Sequence, residues 1–308
     1  MLLKSVVFAT LAAAGVPRSI PERNQTPDRC GTTQVSKSFV KTVSDLKPLE
    51  SAMKLGARSS SNSSSNSLST IDVKVHFHTV SSEAKRDYIS DQALDKQFAL
   101  LRDVYANYDI NIQRDETVAS RTVDDFLATG SWPLTTQQVA AKKDFLTRTR
   151  KGGYDAINLY FYTDMLEDFW GSCTLPRDNV TRTFDDVNFR EDGCGINADS
   201  LPDGPFERVG LGYTVIHEVG HWFGLLHVFQ GYTCEGSGDL VDDTPAAQVD
   251  TTGCPIGKDS CPDVPGLDPI HNYMDYSYDS CYNEFTEGQK LRMHSMWETL
   301  RLSAKVIS

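Results

Sequence analysis

The chain has 308 residues, of which 39% are hydrophobic and 23% charged, values that are ordinary for a folded globular protein. Its formal net charge of -12 at pH 7 argues against a nucleic-acid-binding protein, because such proteins usually present a basic surface. The length allows one large domain or two small ones.

The chain begins with MLLKSVVFATLAAAGVPRSIP, which has the three parts of a secretory signal peptide: a positive residue at Lys4, an apolar core and small residues after it. We therefore predict a signal peptide at residues 1–18 and a secreted protein. No segment has the ~18 uninterrupted apolar residues of a membrane span, so no membrane association is expected. Sequons at Asn24, Asn62 and Asn179 are candidate glycosylation sites in this compartment.

A Ser/Asn-rich run, ARSSSNSSSNSLST, divides the mature chain into two unequal parts. We interpret residues 19–57 as a pro-segment that is too short for a core of its own, and residues 58–70 as a flexible linker. Residues 71–308 have the length of a single domain, for which we expect a monomer.

The domain opens with IDVKVHFHTV, whose alternation predicts a half-buried strand with His76 and His78 on its exposed face. A metal site is the alternative for these histidines, but no third partner at ligand spacing accompanies them. Apolar residues at helical spacing then predict an amphipathic helix over 90–108.

Two more strands are predicted further along the chain. INIQRDETV has strand character, and AINLYFYTDM is apolar at nearly every position, which is typical of the middle of a sheet. Gly, Pro and Asp dominate residues 173–212, which predicts long loops tied by a disulfide. Thr286 and Gln289 form a capping-box pattern that predicts the start of a closing helix.

The stretch TVIHEVGHWFGLLHVFQ contains three of the chain's seven histidines. On a helix, His217 and His221 lie one turn apart on the same face, and Glu218 is rotated by about 100° beside them. Gly224 permits a sharp turn, from which His227 returns as a third ligand. Three imidazoles with an open fourth position are the catalytic form of a zinc site, so we expect one zinc ion with Glu218 as the general base.

The alternative is an amphipathic helix with surface histidines, but the full spacing is far rarer by chance than a bare His-Glu-x-x-His. HEVGHWFGLLH resembles the long zinc signature of the metzincin metalloproteases, which is followed by a methionine turn. Met274 in HNYMDYSYDS stands where that turn is expected, with Tyr276 two residues later. Among metzincins, the chain resembles the pappalysin-like family and, within it, the secreted extracellular metalloproteases of fungi.

The resemblance implies an α+β fold: a twisted mixed sheet with a backing helix, an active-site helix, and a loop-rich C-terminal subdomain with the Met-turn and a final helix. It implies that Tyr276 lies near the metal, as a weak ligand or as a hydrogen-bond donor to the oxyanion. It also implies that GSCTLP forms the rim strand along which an extended peptide substrate pairs. Protein or peptide substrates, digested for nutrition, are the expected partners.

Two acidic features take roles from the resemblance. GDLVDDTPA is similar to a calcium-binding loop, with hard oxygen ligands from Asp239, Asp242, Asp243 and Thr244; a solvated acidic loop is the alternative. Asp279 would lie at the base of the pocket for the residue after the cut bond and would favour Arg or Lys there. A solvated surface acid is the alternative for Asp279.

The seven cysteines are expected to pair in an oxidising compartment, and six of them lie after residue 170. Six cysteines allow 15 pairings; the resemblance implies Cys234–Cys261 and Cys254–Cys281, which leaves Cys173–Cys194. Cys30, in the predicted pro-segment, is then unpaired. Because a thiolate binds zinc well, we interpret Cys30 as a latency switch that fills the open position; an ordinary free cysteine is the alternative.

Two other functions remain open at this point. A zinc hydrolase that acts on a non-protein substrate would share the His-Glu-x-x-His chemistry without requiring the longer signature. A secreted binding protein that retains only the fold would be expected to lose the base, yet Glu218 is intact.

Overall fold

The computed structural model describes residues 29–33, 35–59, 68–115, 119–130 and 135–302. The predicted signal peptide, the sequons at Asn24 and Asn62 and most of the predicted linker lie outside these ranges. Asn179 is exposed in a loop with a φ of 57°. Within the described ranges, no helix has both the length and the apolar character needed to cross a membrane.

The helices alternate with strands along most of the chain. They are α1 (Lys37–Ser59), α2 (Asp91–Ala106), α3 (Thr136–Thr149), α4 (Val187–Arg190), α5 (Tyr213–Trp222) and α6 (Glu287–Met296). α2 confirms the predicted amphipathic helix and is capped by the Ser90 hydroxyl, which accepts from the backbone N–H of Ala93. The predicted capping box of Thr286 and Gln289 begins α6, and one turn of π-helix, Trp297–Arg301, follows it.

The strands form one mixed sheet in the described residues. They are β1 (Ile71–Ser81), β2 (Ile110–Arg114), β3 (Ser120–Val123), β4 (Ala156–Tyr162), β5 (Gly171–Cys173) and β6 (Cys194–Asn197). The order is β2, β1, β4, β6, β5, and β3 pairs with the far end of β1. All pairs are parallel except β5 with β6, so β5 is an antiparallel edge strand.

The central strand β4 is buried at every position, as the sequence predicts. Leu159 and Phe161 belong to the main core, which also contains residues of α2 and α5. Tyr160 and Tyr162 pack with Phe145 of α3 in a separate cluster. Burial on both faces explains why this strand lacks the alternation of a half-exposed one.

The prediction that His76 and His78 lie on an exposed face is wrong, because they are 4% and 1% exposed. The ring of His78 stacks on Tyr160, with centroids 4.4 Å apart, and its two nitrogens contact the Asn158 carboxamide and the Ser120 hydroxyl at 2.9 and 2.8 Å. The first four residues of β1 alternate between buried and exposed, but the rest of the strand is buried, and the side chains of Ser120 in β3 and of Asn158 and Tyr160 in β4 surround His78.

The loop-rich region 173–212 is tied by a disulfide as predicted, and it also contributes β6 and α4. Within this region, Asp192 is 2% exposed, and it connects the end of α5 to the π-helical turn that follows α6. It accepts hydrogen bonds from the Trp222 indole at 3.1 Å and from Arg301 at 2.8 Å. Arg301 also donates to the Trp222 carbonyl at 2.9 Å, so the end of α5 is held by a buried ion pair.

The predicted pro-segment contains α1, which packs against α6 through Phe39, Val43 and Leu46. α1 continues to Ser59, two residues beyond the predicted end of the pro-segment. The segment is too short to form a core of its own, so it buries its apolar side chains against the surface of the domain.

Candidate active site

Three histidine nitrogens converge at the C-terminal half of α5. His217 and His221 lie on consecutive turns, and the chain reverses at Gly224, whose φ is 95°. This turn returns His227 to the same point. The three Nε2 atoms lie 3.1 Å from one another in every pair. Ligands 2.0–2.1 Å from a tetrahedral zinc ion stand about 3.3 Å apart, so this spacing fits the metal closely.

Backbone carbonyls orient two of these imidazoles. The Nδ1 atom of His217 lies 2.7 Å from the Tyr273 carbonyl, and that of His221 lies 2.8 Å from the Leu225 carbonyl. A carbonyl can only accept, so each Nδ1 carries the proton and each Nε2 presents a lone pair. Burial lowers the pKa of His217 to about 4 and those of His221 and His227 well below the usual value. The Nε2 lone pairs of His217 and His221, facing each other and the Nε2 atom of a third neutral imidazole, favour a cation between them.

Glu218 lies beside this cluster under the edge strand. It is fully buried, and neither carboxyl oxygen has a hydrogen-bond partner among the described residues. Burial raises the pKa of Glu218 to about 8, which the neighbouring Cys30 thiol offsets only in part. A Cβ at Gly171 would stand 2.9 Å from the Glu218 carboxyl, so glycine at this point of β5 leaves the room that the carboxyl occupies.

Met274 lies fully buried beneath the histidines, and its turn is connected to both sides of the site. The Met274 carbonyl accepts from the Val228 N–H at 3.2 Å, next to the third histidine. The Asn272 carboxamide accepts from the Met274 N–H at 2.9 Å and pairs with the Gln289 carboxamide at 2.7 and 3.1 Å. The capping box of α6 therefore also holds the turn under the metal cluster.

Tyr276 reaches the cluster from the same loop. Its hydroxyl lies 3.2 Å from Nε2 of His227, and its ring packs at 4.8 Å from that of Phe229. The side chain is 6% exposed, so the hydroxyl is held at the site by packing.

The residues that precede α1 lie in the same cleft. Cys30 is 2% exposed, and its sulfur and the three histidine nitrogens all lie within 4.8 Å of one another. Arg29 stacks on Trp170 at 4.8 Å and donates to the Tyr276 carbonyl at 3.0 Å. The cavity around these side chains retains about 20 Å³, room for about one water molecule.

Residues 29–32 pair with the free edge of β5 and run parallel to it. The Arg29 carbonyl accepts from the Trp170 N–H at 2.8 Å, and the Gly31 N–H donates to the Gly171 carbonyl at 2.9 Å. The Thr32 hydroxyl donates to the Cys173 carbonyl at 2.9 Å. These contacts occupy the edge along which, by the family resemblance, a substrate is expected to pair.

Comparisons with known proteins agree with this site. The family model described as pregnancy-associated plasma protein-A, a peptidase family, matches residues 197–298. An extracellular metalloprotease of Neurospora crassa is 41% identical over 96% of this chain and 98% of that protein. One of Pyricularia oryzae is 40% identical over 97% of this chain and 98% of that protein.

The chain belongs to this metalloprotease family. It is a metalloendopeptidase, and membership implies a catalytic zinc ion, which the histidine cluster fits. Solved structures show the same fold. A promirolysin mutant of Tannerella forsythia superimposes with a TM-score of 0.58 at 21% identity, covering 88% of this chain and 94% of that chain. Mirolysin in complex with a compound gives 0.56 at 25% identity, covering 75% and 93%. The mixed α+β metzincin fold expected from the sequence is therefore confirmed.

The two carboxyl oxygens of Asp279 lie in different environments. One oxygen accepts from the backbone N–H groups of Leu211 and Tyr213 at 2.9 and 3.4 Å, beside the start of α5. The other has no hydrogen-bond partner among the described residues. The side chain lines the active-site cavity and is 2% exposed, so it is not the solvated surface acid of the alternative interpretation.

The acidic loop does not gather its oxygens at one point. Asp242 is paired with Lys47 of α1 at 2.6 Å, and Asp243 accepts from the Thr286 hydroxyl and the Gly288 N–H at the start of α6. Asp239 is 4% exposed with one unpartnered oxygen, and the Thr244 hydroxyl also lacks a partner among the described residues.

The structure forms the three disulfides that the resemblance implies: Cys173–Cys194, Cys234–Cys261 and Cys254–Cys281. Cys30 is the free cysteine of the described residues. Sequence patterns did not reveal the carbonyls of Tyr273 and Leu225, because a backbone acceptor leaves no mark on residue type. The sequence signal for Gly171 was its place at the start of the predicted rim strand.

We predict that Gly220→Ala lowers the stability of the metalloprotease, although alanine favours helices over glycine by about 1 kcal/mol. A Cβ at Gly220 would lie 2.6 Å from the Met274 sulfur, so the methionine has to move. The effect is measured as the change in thermal unfolding temperature and in the amount of zinc bound per chain. Met274→Ala should recover part of the loss in the Gly220→Ala background, although alone it removes about 2–5 kcal/mol. A Gly220→Ala protein as stable as the wild type would contradict the close contact.

Proposed function

We propose that this metalloprotease is a secreted zinc endopeptidase in which Glu218 is the general base. The observation that carries the proposal is the convergence of three buried imidazole Nε2 atoms beside a carboxyl group that has no hydrogen-bond partner among the described residues. Curated relatives are named extracellular metalloproteases, which supports a place outside the cell; we propose that the enzyme digests environmental protein there for nutrition. Release of amino acids from casein by culture medium would test that role.

His217, His221 and His227 would hold the metal through Nε2. Zinc bound in this way supplies a Lewis acid that polarises a carbonyl and brings the pKa of water towards ~7. A cation held by the histidines would favour the charged form of the neighbouring Glu218 over the neutral acid. The Glu218 carboxylate accepts the proton of the attacking water and returns it to the leaving amine. The Tyr276 hydroxyl, held 3.2 Å from the third ligand, donates a hydrogen bond to the developing oxyanion.

Glu218→Gln should reduce casein hydrolysis at least about 100-fold, because proton transfer is lost while the shape of the side chain is kept. The variant should retain one zinc ion per chain, measured by elemental analysis of the processed protein. His221→Ala, in contrast, should lose both zinc and activity. Cleavage that survives Glu218→Gln or a zinc chelator would contradict the proposal.

We propose that residues 19–57 are a pro-segment in which Cys30 keeps the enzyme latent. Two contacts support this: the thiol lies at the histidine cluster, and residues 29–32 cover the edge of β5. A peptide substrate needs the same edge for backbone pairing, so substrate and pro-segment exclude each other. A thiolate at the open metal position also excludes the water that the reaction consumes.

Cys30→Ser in the full-length chain should hydrolyse a peptide substrate before any residue is removed, because a neutral hydroxyl binds zinc less well than a thiolate does, and substrate can then displace residues 29–32 from the β5 edge. The measurement compares activity and the N-terminal sequence of the same sample. The wild-type chain with its N-terminus intact is the control and should be inactive. An intact wild type as active as Cys30→Ser would show that Cys30 is an ordinary cysteine.

We propose that Asp279 selects Arg or Lys after the cut bond through the oxygen that faces the cavity. Burial raises the pKa of Asp279 to about 7, while backbone N–H groups of residues 211–213 lower it. A raised pKa means that the carboxylate forms only as pH rises through this value. The preference for a cationic residue should therefore be weak at low pH and strengthen towards alkaline pH.

The ratio of kcat/KM for an Arg peptide to that for a matched Leu peptide should rise by up to about tenfold per pH unit below pH 7. Asp279→Asn should make the ratio low and independent of pH, since its amide oxygen still accepts from Leu211. Asp275→Asn, at a second buried acid of the same cavity, is the matched control and should retain the pH dependence. If Asp275→Asn flattens the ratio instead, Asp279 is not the selecting group.

We propose, finally, that calcium draws the oxygens of the loop 238–246 together when it binds, with the unpartnered oxygen of Asp239 as its central ligand. Calcium at 100 times its Kd should stabilise the wild type by about 2.7 kcal/mol against unfolding. Asp239→Asn should abolish this response, because a neutral amide binds calcium weakly. The measurement is the unfolding free energy with and without calcium, with magnesium as the control ion. An equal response in Asp239→Asn would exclude this site.

A further inference from the structure

Helix α1 is anchored away from the zinc cluster, on a surface of the catalytic domain that we call the α1-docking surface: Leu226, Arg292, Met296 and Leu300. Its apolar residues are 2%, 0% and 8% exposed for Leu226, Met296 and Leu300. Phe39, Val43 and Leu46 of α1 pack on them and are 5%, 1% and 5% exposed. These three positions recur at intervals of four and three, so one stripe of α1 makes the contact.

The apolar contact is completed by a buried ion pair. Glu50 of α1 accepts from Nε of Arg292 at 2.6 Å and from the Ser295 hydroxyl at 2.9 Å. The Arg292 side chain is 1% exposed, and it also donates to the Leu240 carbonyl at 2.8 Å. Glu50 is its carboxylate partner among the described residues. If α1 left, Arg292 would lose that partner, which is costly for a buried charge.

The α1-docking surface is continuous with the active site. Leu226 directly precedes His227, and Met296 packs against Gly224, where a Cβ would stand 2.7 Å from the methionine side chain. Residues 31–36 connect Cys30 with α1, so one short segment is attached at two places. Neither attachment involves the Ser/Asn-rich linker, whose residues 60–67 follow α1.

We propose that the α1-docking surface retains α1 after the linker is cut, so that the severed pro-segment remains a bound, two-point inhibitor of its own enzyme. Cleavage of the linker then removes only the covalent tether. Because each attachment holds the other at high effective concentration, the pro-segment leaves slowly. Activation requires a second event: cleavage between Cys30 and α1, or displacement of the helix.

Retention of α1 rests on the helix contacts alone. The persistence of latency rests on the proposed role of Cys30 at the zinc site, so the two need separate readouts.

The experiment uses the full-length chain with the recognition sequence of a site-specific endopeptidase placed within residues 61–66. In a Glu218→Gln background, which prevents self-digestion, the cut protein is passed over a size-exclusion column and both fragments are identified by mass spectrometry. The two fragments should elute together. Elution of the N-terminal fragment as a separate species would overturn the proposal.

Two matched variants of α1 test whether the docking surface causes retention. Val43→Asp should raise the dissociation rate of the cut fragment at least about 100-fold, since it places a charge at a buried contact. Val40→Asp introduces the same side chain on the same helix at a position that is 42% exposed, and the fragment should stay bound. Equal release from both variants would overturn the proposal.

A milder variant covers the case in which Val43→Asp does not fold. Glu50→Gln keeps the shape of the side chain and should accelerate fragment release about tenfold or more, because the Arg292 charge loses its partner. Release at the wild-type rate would mean that the ion pair does not hold α1.

The latency arm uses the chain with Glu218 intact. After the linker is cut, the wild type should remain inactive towards a peptide substrate while its fragments elute together. Cys30→Ser should be active although its fragment still elutes with the enzyme, because α1 stays docked while residues 29–32, no longer held at the zinc site, yield the β5 edge to substrate. A Cys30→Ser complex that is inactive would refute the proposed switch and leave retention intact, and an active wild-type complex would overturn the two-point inhibitor.

Discussion

The site depends on one electrostatic constraint, which is that three neutral, buried imidazoles hold their Nε2 atoms 3.1 Å apart. Such an arrangement is unfavourable unless a cation lies at its centre, and the protein has to hold it open for one. The Tyr273 and Leu225 carbonyls direct the rings by engaging their Nδ1 protons. Gly224 permits the reversal between the second and third ligands, and Met274 fills the space beneath them.

The edge of β5 is the second organising feature. One edge of strand β5 pairs with β6, and its other edge faces the cleft. Residues 29–32 satisfy the backbone groups of this edge in the described form, where Gly171 also makes room for Glu218. Once residues 29–32 leave, the same N–H and C=O groups would pair with an extended peptide. Competition for one strand edge therefore connects the proposed latency to the proposed substrate binding.

Buried charges join the parts of the molecule that are far apart in sequence. Asp192 with Arg301 holds the end of α5 to the π-helical turn after α6, and Glu50 with Arg292 holds α1 to α6. Each arginine is at most 1% exposed. Pairs of this kind add little net stability over apolar packing, but breaking one leaves a charge without a partner. They thus favour one arrangement of the helices over others.

The sequence by itself determined the elements whose cause is local. The spacing of His217, Glu218, His221 and His227 follows from helix periodicity and a glycine turn, and α2, β4 and the capping box at Thr286 follow from apolar pattern and side-chain capping. For the acidic loop and Asp279, the sequence left a binding role and a solvated acid as alternatives, because burial and the direction of an oxygen depend on residues distant in the chain.

Only the tertiary structure decided which surfaces are covered. Alternation in β1 predicted an exposed face, yet β3, β4 and a loop bury His76 and His78, since strand pairing is a long-range event that one strand does not encode. In the same way, the length of residues 19–57 excluded an independent core but could not indicate that α1 would complete its core on Leu226 and α6. A local sequence pattern indicates which side chains of a segment can be buried. Which other residues cover them is determined by the packing of the whole fold.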